Sequence, residues 1–218
     1  MKIFLDTADT EVINEYFKTG LVDGVTTNPT LIMKSGRNPM DVYQDIKDIG
    51  VRDISMEVVG SAAQMYHEGR RLSDMFGDVC TVKLPMTRDG LSVCKELSDM
   101  NVKVNVTLIF CAAQAVLAAK AGATYVSPFI GRIDDTGHDG MELIAEIMNT
   151  WANYDIDTKV LAASIRHPTH VLQCIQLGAH TATMPAKTFR QLMSHPLTDK
   201  GLEGFMRDWA EVEAAGNA

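Results

Sequence analysis

Short apolar runs alternate with longer amphipathic stretches along the chain, and this alternation occurs eight times in 218 residues. Short, mostly apolar runs are typical of buried strands in a parallel sheet that helices cover on its outer side. The sequence therefore predicts eight strands, at residues 2–5, 24–27, 53–58, 80–84, 103–107, 125–128, 159–163 and 181–184.

Segments with helical spacing of their apolar residues lie between the predicted strands, at residues 10–19, 41–49, 62–76, 88–100, 112–121, 141–153 and 169–177. Glycine follows several of them directly, and glycine ends helices because it adopts left-handed backbone angles at little cost. Eight strand–helix units of about 27 residues favour a compact (β/α)8 TIM barrel. The alternative is an open doubly wound sheet, but no GxGxxG motif follows the first strand.

The last segment, residues 197–218, is predicted to be an extra C-terminal helix in a single domain that spans residues 1–218. Its apolar residues lie three and four positions apart and form one stripe, Leu202, Phe205, Met206, Trp209 and Val212. Such a stripe needs a covering surface. The helix is expected to cap the barrel or to reach a neighbouring subunit.

Composition argues against several classes of binding partner. Acidic residues outnumber basic ones by 28 to 20, which gives a net charge of −8 and argues against binding to nucleic acid or to an anionic membrane. The start of the chain does not resemble a signal peptide, and no run of about 20 apolar residues occurs. A soluble cytoplasmic protein is expected, with Cys80, Cys94, Cys111 and Cys174 as reduced core thiols. No metal or cofactor is expected.

Polar residues end most of the predicted strands, where the active sites of such barrels lie. Lys83 is the most informative of them, because it stands inside an apolar strand between Val82 and Leu84. A desolvated lysine is a free amine that can form a Schiff base with a carbonyl, although a lysine here could also extend outward to water. The neighbouring strand ends favour the catalytic interpretation, since they carry Asp6, Asn28, Glu57, Asn105 and Thr107.

Arg132 and Arg166 follow the sixth and seventh strands, where a guanidinium could grip a phosphate with two parallel hydrogen bonds. The alternative is a surface arginine paired with Asp134 or Asp135 in a weak exposed ion pair. A nearby pair of histidines, His167 and His170, is not expected to bind metal, because no cysteine or carboxylate cluster joins it. His170 is expected on a helix surface.

Several motifs occur in an order that resembles the small transaldolase family, which includes the fructose-6-phosphate aldolases. They are Phe-Leu-Asp-Thr-Ala at 4–8, Val-Thr-Thr-Asn-Pro-Thr-Leu at 25–31, Val-Lys-Leu-Pro-Met-Thr at 82–87, Asn-Val-Thr-Leu-Ile-Phe at 105–110, Ala-Gly-Ala-Thr-Tyr-Val-Ser-Pro-Phe-Ile-Gly-Arg at 121–132 and Ala-Ser-Ile-Arg-His-Pro at 163–168. The resemblance continues to the tail at 195–201 and covers nearly the whole chain.

The resemblance implies that Lys83 forms a Schiff base with the C2 carbonyl of a ketose phosphate. Asp6 would then exchange a proton with the C4 hydroxyl, and Glu57 with Thr107 would hold a water that shuttles protons. Substrate contacts would come from Thr27, Asn28, Asn105, Arg132 and Arg166. Ser127 and Ser164 suit substrate contacts as well as hydrogen bonds to the backbone.

Two activities remain open within the family: transfer of the dihydroxyacetone unit to an aldose phosphate, and its release by a fructose-6-phosphate aldolase. Transaldolases tend to carry Glu and Phe where the aldolases carry Gln and Tyr, and this chain has Glu57 and Phe129. The resemblance therefore favours transfer. A barrel that only binds sugar phosphates would not need Lys83, Glu57 and Asp6 together, whereas a lyase or isomerase without a Schiff base would use Lys83 only as a cation. The family also implies a homo-oligomer, a pentamer or decamer.

Overall fold

The computed structural model describes residues 1–216 and has a closed barrel of eight parallel strands in chain order. The strands are β1 (Lys2–Asp6), β2 (Gly24–Thr26), β3 (Ile54–Glu57), β4 (Cys80–Pro85), β5 (Val104–Ile109), β6 (Tyr125–Pro128), β7 (Lys159–Ala162) and β8 (Thr181–Met184). All eight predicted strands are confirmed. The largest difference is β5, which continues past its predicted end through an irregularity at Leu108, where φ is 62°.

The helices are α1 (Thr10–Phe17), α2 (Pro29–Ser35), α3 (Pro39–Ile49), α4 (Ala62–Phe76), α5 (Arg88–Ser98), α6 (Ala112–Lys120), α7 (Ile130–Asp134), α8 (Gly140–Asn153), α9 (Pro168–Gln176), α10 (Ala186–Met193) and α11 (Pro196–Gly216). The predicted helices are confirmed, but α2, α7 and α10 were not predicted. The first two are too short for a repeated apolar stripe, and each follows a strand end that carries site residues. The fold is a TIM barrel with a C-terminal helix.

Local sequence accounts for the starts of several helices. Asn28 precedes α2, and its side-chain oxygen accepts a hydrogen bond from the Leu31 amide at 3.0 Å. Ser61 and Gln64 form a reciprocal capping box at the start of α4. These caps satisfy amide groups that have no partner inside the helix. At α2 the cap also fixes Asn28 at the mouth of the barrel.

The lower interior of the barrel contains a polar cluster around Asp53. This carboxylate accepts hydrogen bonds from Thr81 Oγ1 at 2.8 Å and from Tyr125 Oη at 2.9 Å. The ring of Phe4 packs edge-on against Tyr125. A Cβ at Gly24 would lie 2.6 Å from the Phe4 ring, so the strand passes this ring only because it carries glycine. The base of the barrel is therefore filled, and the open space lies at the carboxyl ends of the strands.

The outer surface differs from the expectation of four core cysteines and from one of the two alternatives for the C-terminal helix, that it caps the barrel. Cys80, Cys94 and Cys174 are buried free thiols, but Cys111 is exposed at the start of α6. The apolar stripe of α11 is exposed, and within residues 1–216 this helix has no buried residue. The predicted helix 197–218 is confirmed as far as residue 216, and its last two residues lie outside the described part. No helix in residues 1–216 is long and apolar enough to span a bilayer.

Candidate active site

A cavity of about 520 Å³ opens at the carboxyl ends of the strands. Nine of the twelve predicted site residues line it: Asp6, Asn28, Glu57, Lys83, Ser127, Phe129, Arg132, Ser164 and Arg166. They come from six different strands or the segments that follow them, so only the closed barrel brings them together. The other three, Thr27, Asn105 and Thr107, are fully buried and are not among the residues of the cavity wall.

Lys83 lies on the inner face of β4 and is only 4% exposed. Its Nζ is 3.0 Å from Glu57 Oε2 and donates a hydrogen bond to the Thr27 carbonyl oxygen, also at 3.0 Å. Glu57 and Lys83 are direct neighbours in the register of β3 and β4. The ammonium therefore points into the cavity with two oxygen partners and does not extend outward to solvent, which removes the alternative of a surface lysine.

Asp6 ends β1 and is held by a short chain of hydroxyl groups. Thr26 Oγ1 donates to Asp6 Oδ1 at 2.7 Å, and Thr26 and Thr183 Oγ1 atoms are also 2.7 Å apart. Because the Thr26 proton goes to the carboxylate, Thr183 must be the donor in the second bond. Burial raises the pKa of Asp6, although the Lys83 charge and the Thr26 hydrogen bond oppose that rise. A carboxylate with a raised pKa is a stronger base when it ionises.

Asn105 is part of a buried hydrogen-bond chain beside Lys83. Its Oδ1 accepts from Ser127 Oγ at 2.7 Å, and its Nδ2 donates to Ser55 Oγ at 3.2 Å. Thr107, two residues further along the same strand, has a buried hydroxyl with no hydrogen-bond partner among residues 1–216. A buried polar atom without a partner is uncommon and costs free energy. The Thr107 hydroxyl therefore remains available for a hydrogen bond to a further group.

Thr27 and Asn28 have different positions although they are adjacent. The Thr27 hydroxyl donates to the Ser55 carbonyl at 2.8 Å, and the residue faces Lys83 with its carbonyl oxygen. Asn28 lines the cavity, and its oxygen is occupied by the capping bond to Leu31. The Asn28 Nδ2 group therefore remains as the donor that this residue can offer to a ligand.

Two guanidinium groups line the side of the cavity next to β6 and β7. Arg132, on α7, lies over the Phe129 ring at 5.1 Å from its centroid. Arg166 follows β7, and its Nη2 is 2.7 Å from Asp135 Oδ2. The predicted ion pair of Arg166 with Asp135 is confirmed, and the same side chain also lines the cavity; its role in phosphate binding stays a prediction. The arrangement places two cations and the Ser164 hydroxyl around one region of the mouth.

The sequence did not identify Ser55, Thr26 and Thr183 as site residues. Alternation along a strand was the available signal for Ser55, because it lies two residues before Glu57 and faces the same side. His170 was wrongly expected on a helix surface. It is buried, its Nε2 is 3.1 Å from Asp134 Oδ2, and its Nδ1 accepts the Arg166 amide at 3.4 Å. No group of three or more metal-binding side chains occurs within residues 1–216.

Comparison with known proteins identifies the family of the chain. The family model described as Transaldolase/Fructose-6-phosphate aldolase matches residues 3–216. The chain belongs to the transaldolase/fructose-6-phosphate aldolase family. The protein is thus an enzyme of this family, and the resemblance inferred from the sequence motifs is confirmed.

Curated relatives of the family cover nearly the whole chain. A protein named probable transaldolase from Herpetosiphon aurantiacus is 54% identical over 216 residues, which cover 99% of this chain and 97% of that protein. Proteins of the same name from Cereibacter sphaeroides and Caulobacter vibrioides are each 53% identical over 213 residues. Those alignments cover 97% of this chain and 97% and 98% of the two relatives.

Proposed function

We propose that this enzyme is a transaldolase of the pentose phosphate pathway. It would transfer a dihydroxyacetone unit from fructose 6-phosphate or sedoheptulose 7-phosphate to erythrose 4-phosphate or glyceraldehyde 3-phosphate. The observation that supports this most strongly is Lys83, a buried amine that faces the cavity and has Glu57 at 3.0 Å. A lysine so enclosed is the residue type that class I aldol chemistry needs, because it can bond covalently to a ketose carbonyl.

Schiff-base formation begins when Lys83 loses a proton and attacks the C2 carbonyl. Glu57 Oε2 is near enough to Nζ to take that proton directly. The resulting carbinolamine must then lose its hydroxyl group as water, which requires a proton donor. Glu57 can return the proton through a water held with Thr107, whose hydroxyl lacks a partner in residues 1–216. The product is an iminium between Lys83 and C2.

Cleavage of the C3–C4 bond requires a base at the C4 hydroxyl and an electron sink at C2. Asp6 would take the hydroxyl proton, and the bonding electrons would move into the iminium to give an enamine on Lys83. Burial raises the pKa of Asp6, which makes its ionised form a better base for this step. The aldose phosphate then leaves, and a second aldose reacts with the enamine by the same steps in reverse.

The phosphate of the substrate would bind beside β6 and β7, where Arg132, Ser164 and Arg166 line the cavity. Guanidinium groups suit phosphate oxygens because they offer paired, charged donors. These cations give the mouth a positive region on a chain whose net charge is −8. Asn28 Nδ2 would donate to hydroxyl groups at the other end of the substrate, and Asn105, which is buried beside Lys83, would help to position the Schiff-base intermediate.

Transfer is favoured over release because Phe129 lines the cavity and has no hydroxyl. A tyrosine there could help to protonate the enamine, which would release free dihydroxyacetone. The test is a coupled assay with fructose 6-phosphate in the presence and absence of erythrose 4-phosphate. Turnover that depends on the acceptor supports a transaldolase. Equal turnover without the acceptor would instead identify a fructose-6-phosphate aldolase.

The enzyme would work as a homo-oligomer, because the apolar stripe of α11 is exposed. Its five side chains, Leu202, Phe205, Met206, Trp209 and Val212, are between 57% and 74% accessible. A contiguous apolar surface of this kind is typical of an interaction site. Light scattering on a chain that lacks residues 198–218 should show a smaller assembly than the full chain, and an unchanged mass would contradict this role. A single domain over residues 1–218 and a cytoplasmic location stay predictions.

A further inference from the structure

The side chain of Arg166 lies across the backbone of Gly131, at the start of α7. A Cβ built on Gly131 would be 2.4 Å from Arg166 Nε, 2.8 Å from its Cγ and 2.2 Å from the Ser164 carbonyl oxygen. Real Cβ atoms do not approach other atoms this closely, so Arg166 can take this path only because residue 131 has no side chain. The absence of a side chain at Gly131 thus sets the route of the arginine into the cavity.

The backbone next to Arg166 is also bonded to α7. The Gly131 amide donates to the Ser164 carbonyl at 3.1 Å, and His170 Nδ1 accepts the Arg166 amide at 3.4 Å. His170 Nε2 in turn lies 3.1 Å from Asp134, the last residue of α7. The backbone on both sides of Ile165 is therefore tied to α7, directly or through one histidine.

The tip of Arg166 is held by Asp135, which directly follows α7. The Nη2–Oδ2 distance is 2.7 Å, and Asp135 is 63% exposed while Arg166 is 51% exposed. Asp135 does not line the cavity, so it approaches the guanidinium from the outer side. A guanidinium has five N–H donors, and the groups that Asp135 leaves unused can donate to a ligand in the cavity.

We propose that Asp135 is a positioning residue that fixes the Arg166 guanidinium for phosphate and so sets the preference for phosphorylated sugars. Since Arg132 lies on α7 and Asp135 follows it, this short helix determines where both guanidinium groups stand. Asp135 acts through Arg166 and touches no substrate. The proposal rests on the proposed function, because it takes Arg166 as a phosphate ligand.

The experiment compares Asp135→Asn with the native enzyme. An exposed ion pair contributes up to about 1 kcal/mol, which corresponds to about a fivefold change in affinity. We expect the KM for fructose 6-phosphate and the Ki for inorganic phosphate to rise about fivefold, with kcat within about twofold. Borohydride trapping of Lys83 by dihydroxyacetone should keep its half-saturating concentration, because that ketone has no phosphate. Asp135→Glu, which keeps the charge, should restore most of the phosphate affinity.

The matched control is Asp74→Asn, which removes the charge of another arginine–aspartate pair, with Arg70; neither residue lines the cavity. It should change neither the KM for fructose 6-phosphate nor the Ki for inorganic phosphate. An unchanged or lower Ki for phosphate in Asp135→Asn would overturn the proposal, and a lower value would mean that Asp135 competes with phosphate.

Arg166→Ala distinguishes a failure of the positioning role of Asp135 from a failure of the phosphate site. If it weakens phosphate binding and Asp135→Asn does not, only the positioning role is wrong. If Arg166→Ala leaves the Ki for phosphate unchanged, the proposed phosphate site itself is wrong, and the role of Asp135 falls with it.

Discussion

Thr26→Val tests whether the hydroxyl chain beside Asp6 tunes the base for C–C cleavage. Valine has nearly the shape of threonine, but its methyl group cannot donate the 2.7 Å hydrogen bond to Asp6 Oδ1. The substitution also removes the acceptor for the Thr183 hydroxyl. Thr26 is 1% exposed, so the lost donor lies on the buried side of Asp6, whose carboxylate lines the cavity.

The size of the effect follows from the kind of bond that is lost. A hydrogen bond to a charged group contributes about 1.5–3 kcal/mol, and each 1.4 kcal/mol is about a tenfold change in rate. Lys83 continues to stabilise the Asp6 carboxylate by its charge. Because the lost bond stabilises the ionised carboxylate, its removal leaves less of Asp6 ionised, and we expect kcat/KM on the acid side of the profile to fall about tenfold, at the lower end of that range.

The direction in which the pH profile should move follows from the effect of the Thr26 hydrogen bond on Asp6. The Thr26 hydrogen bond lowers the pKa of Asp6, so its loss raises that pKa further. Because the reaction needs Asp6 as a base, activity on the acid side rises as Asp6 loses its proton. The acid limb of the kcat/KM profile should move to higher pH in Thr26→Val.

The assay is the coupled transfer reaction measured across pH, with circular dichroism to confirm that each variant folds. Thr26→Ser keeps the hydroxyl and should stay close to the native enzyme. Thr183→Val removes only the outer bond and should have a smaller effect. An acid limb that does not move, or moves to lower pH, in Thr26→Val would show that the Thr26 hydroxyl does not set the pKa of Asp6.

Three further predictions concern other residues. Phe129→Tyr should increase the release of dihydroxyacetone from fructose 6-phosphate without acceptor, and no increase would remove the explanation for transfer. Burial raises the pKa of Asp6 above its ordinary value of 3.8. Asp6 therefore contributes to the stability of the fold below pH 3.8, where it is protonated, and this contribution is lost as the pH rises through the pKa of the folded state. Asp6→Asn should therefore abolish activity yet raise Tm at pH 7, and a lower Tm would contradict this sign. Gly24→Ala places a Cβ 2.6 Å from the Phe4 ring and should cost about 1–3 kcal/mol in urea unfolding; an unchanged midpoint would show that the ring moves freely.

The strand order could be predicted because each strand of a covered parallel sheet is a short apolar run with its own boundaries. The helices α2 and α7 could not, since seven and five residues are too few to show an apolar period. Their positions depend on the strand ends that they follow. Asn28 caps the first of them, and Phe129 precedes the second.

The site was predictable as far as one residue type stood out in its local context. Lys83 did so because an ammonium inside an apolar strand is unusual. Thr26, Ser55 and Thr183 did not, because threonine and serine are common in strands and their role depends on partners from other strands. Asp135 is a similar case: the sequence offered it as a partner of an arginine, but only the folded chain shows that Arg166 lines the cavity at the same time.

The proposed chemistry depends on a Schiff base at Lys83, which reductive trapping detects as a stable secondary amine. The native enzyme is incubated with fructose 6-phosphate and sodium borohydride, and the modified peptide is identified by mass spectrometry. Lys83→Ala serves as the matched control. We expect a dihydroxyacetone adduct on Lys83, with loss of activity in proportion to labelling. Full turnover with no adduct at Lys83 under these conditions would contradict it.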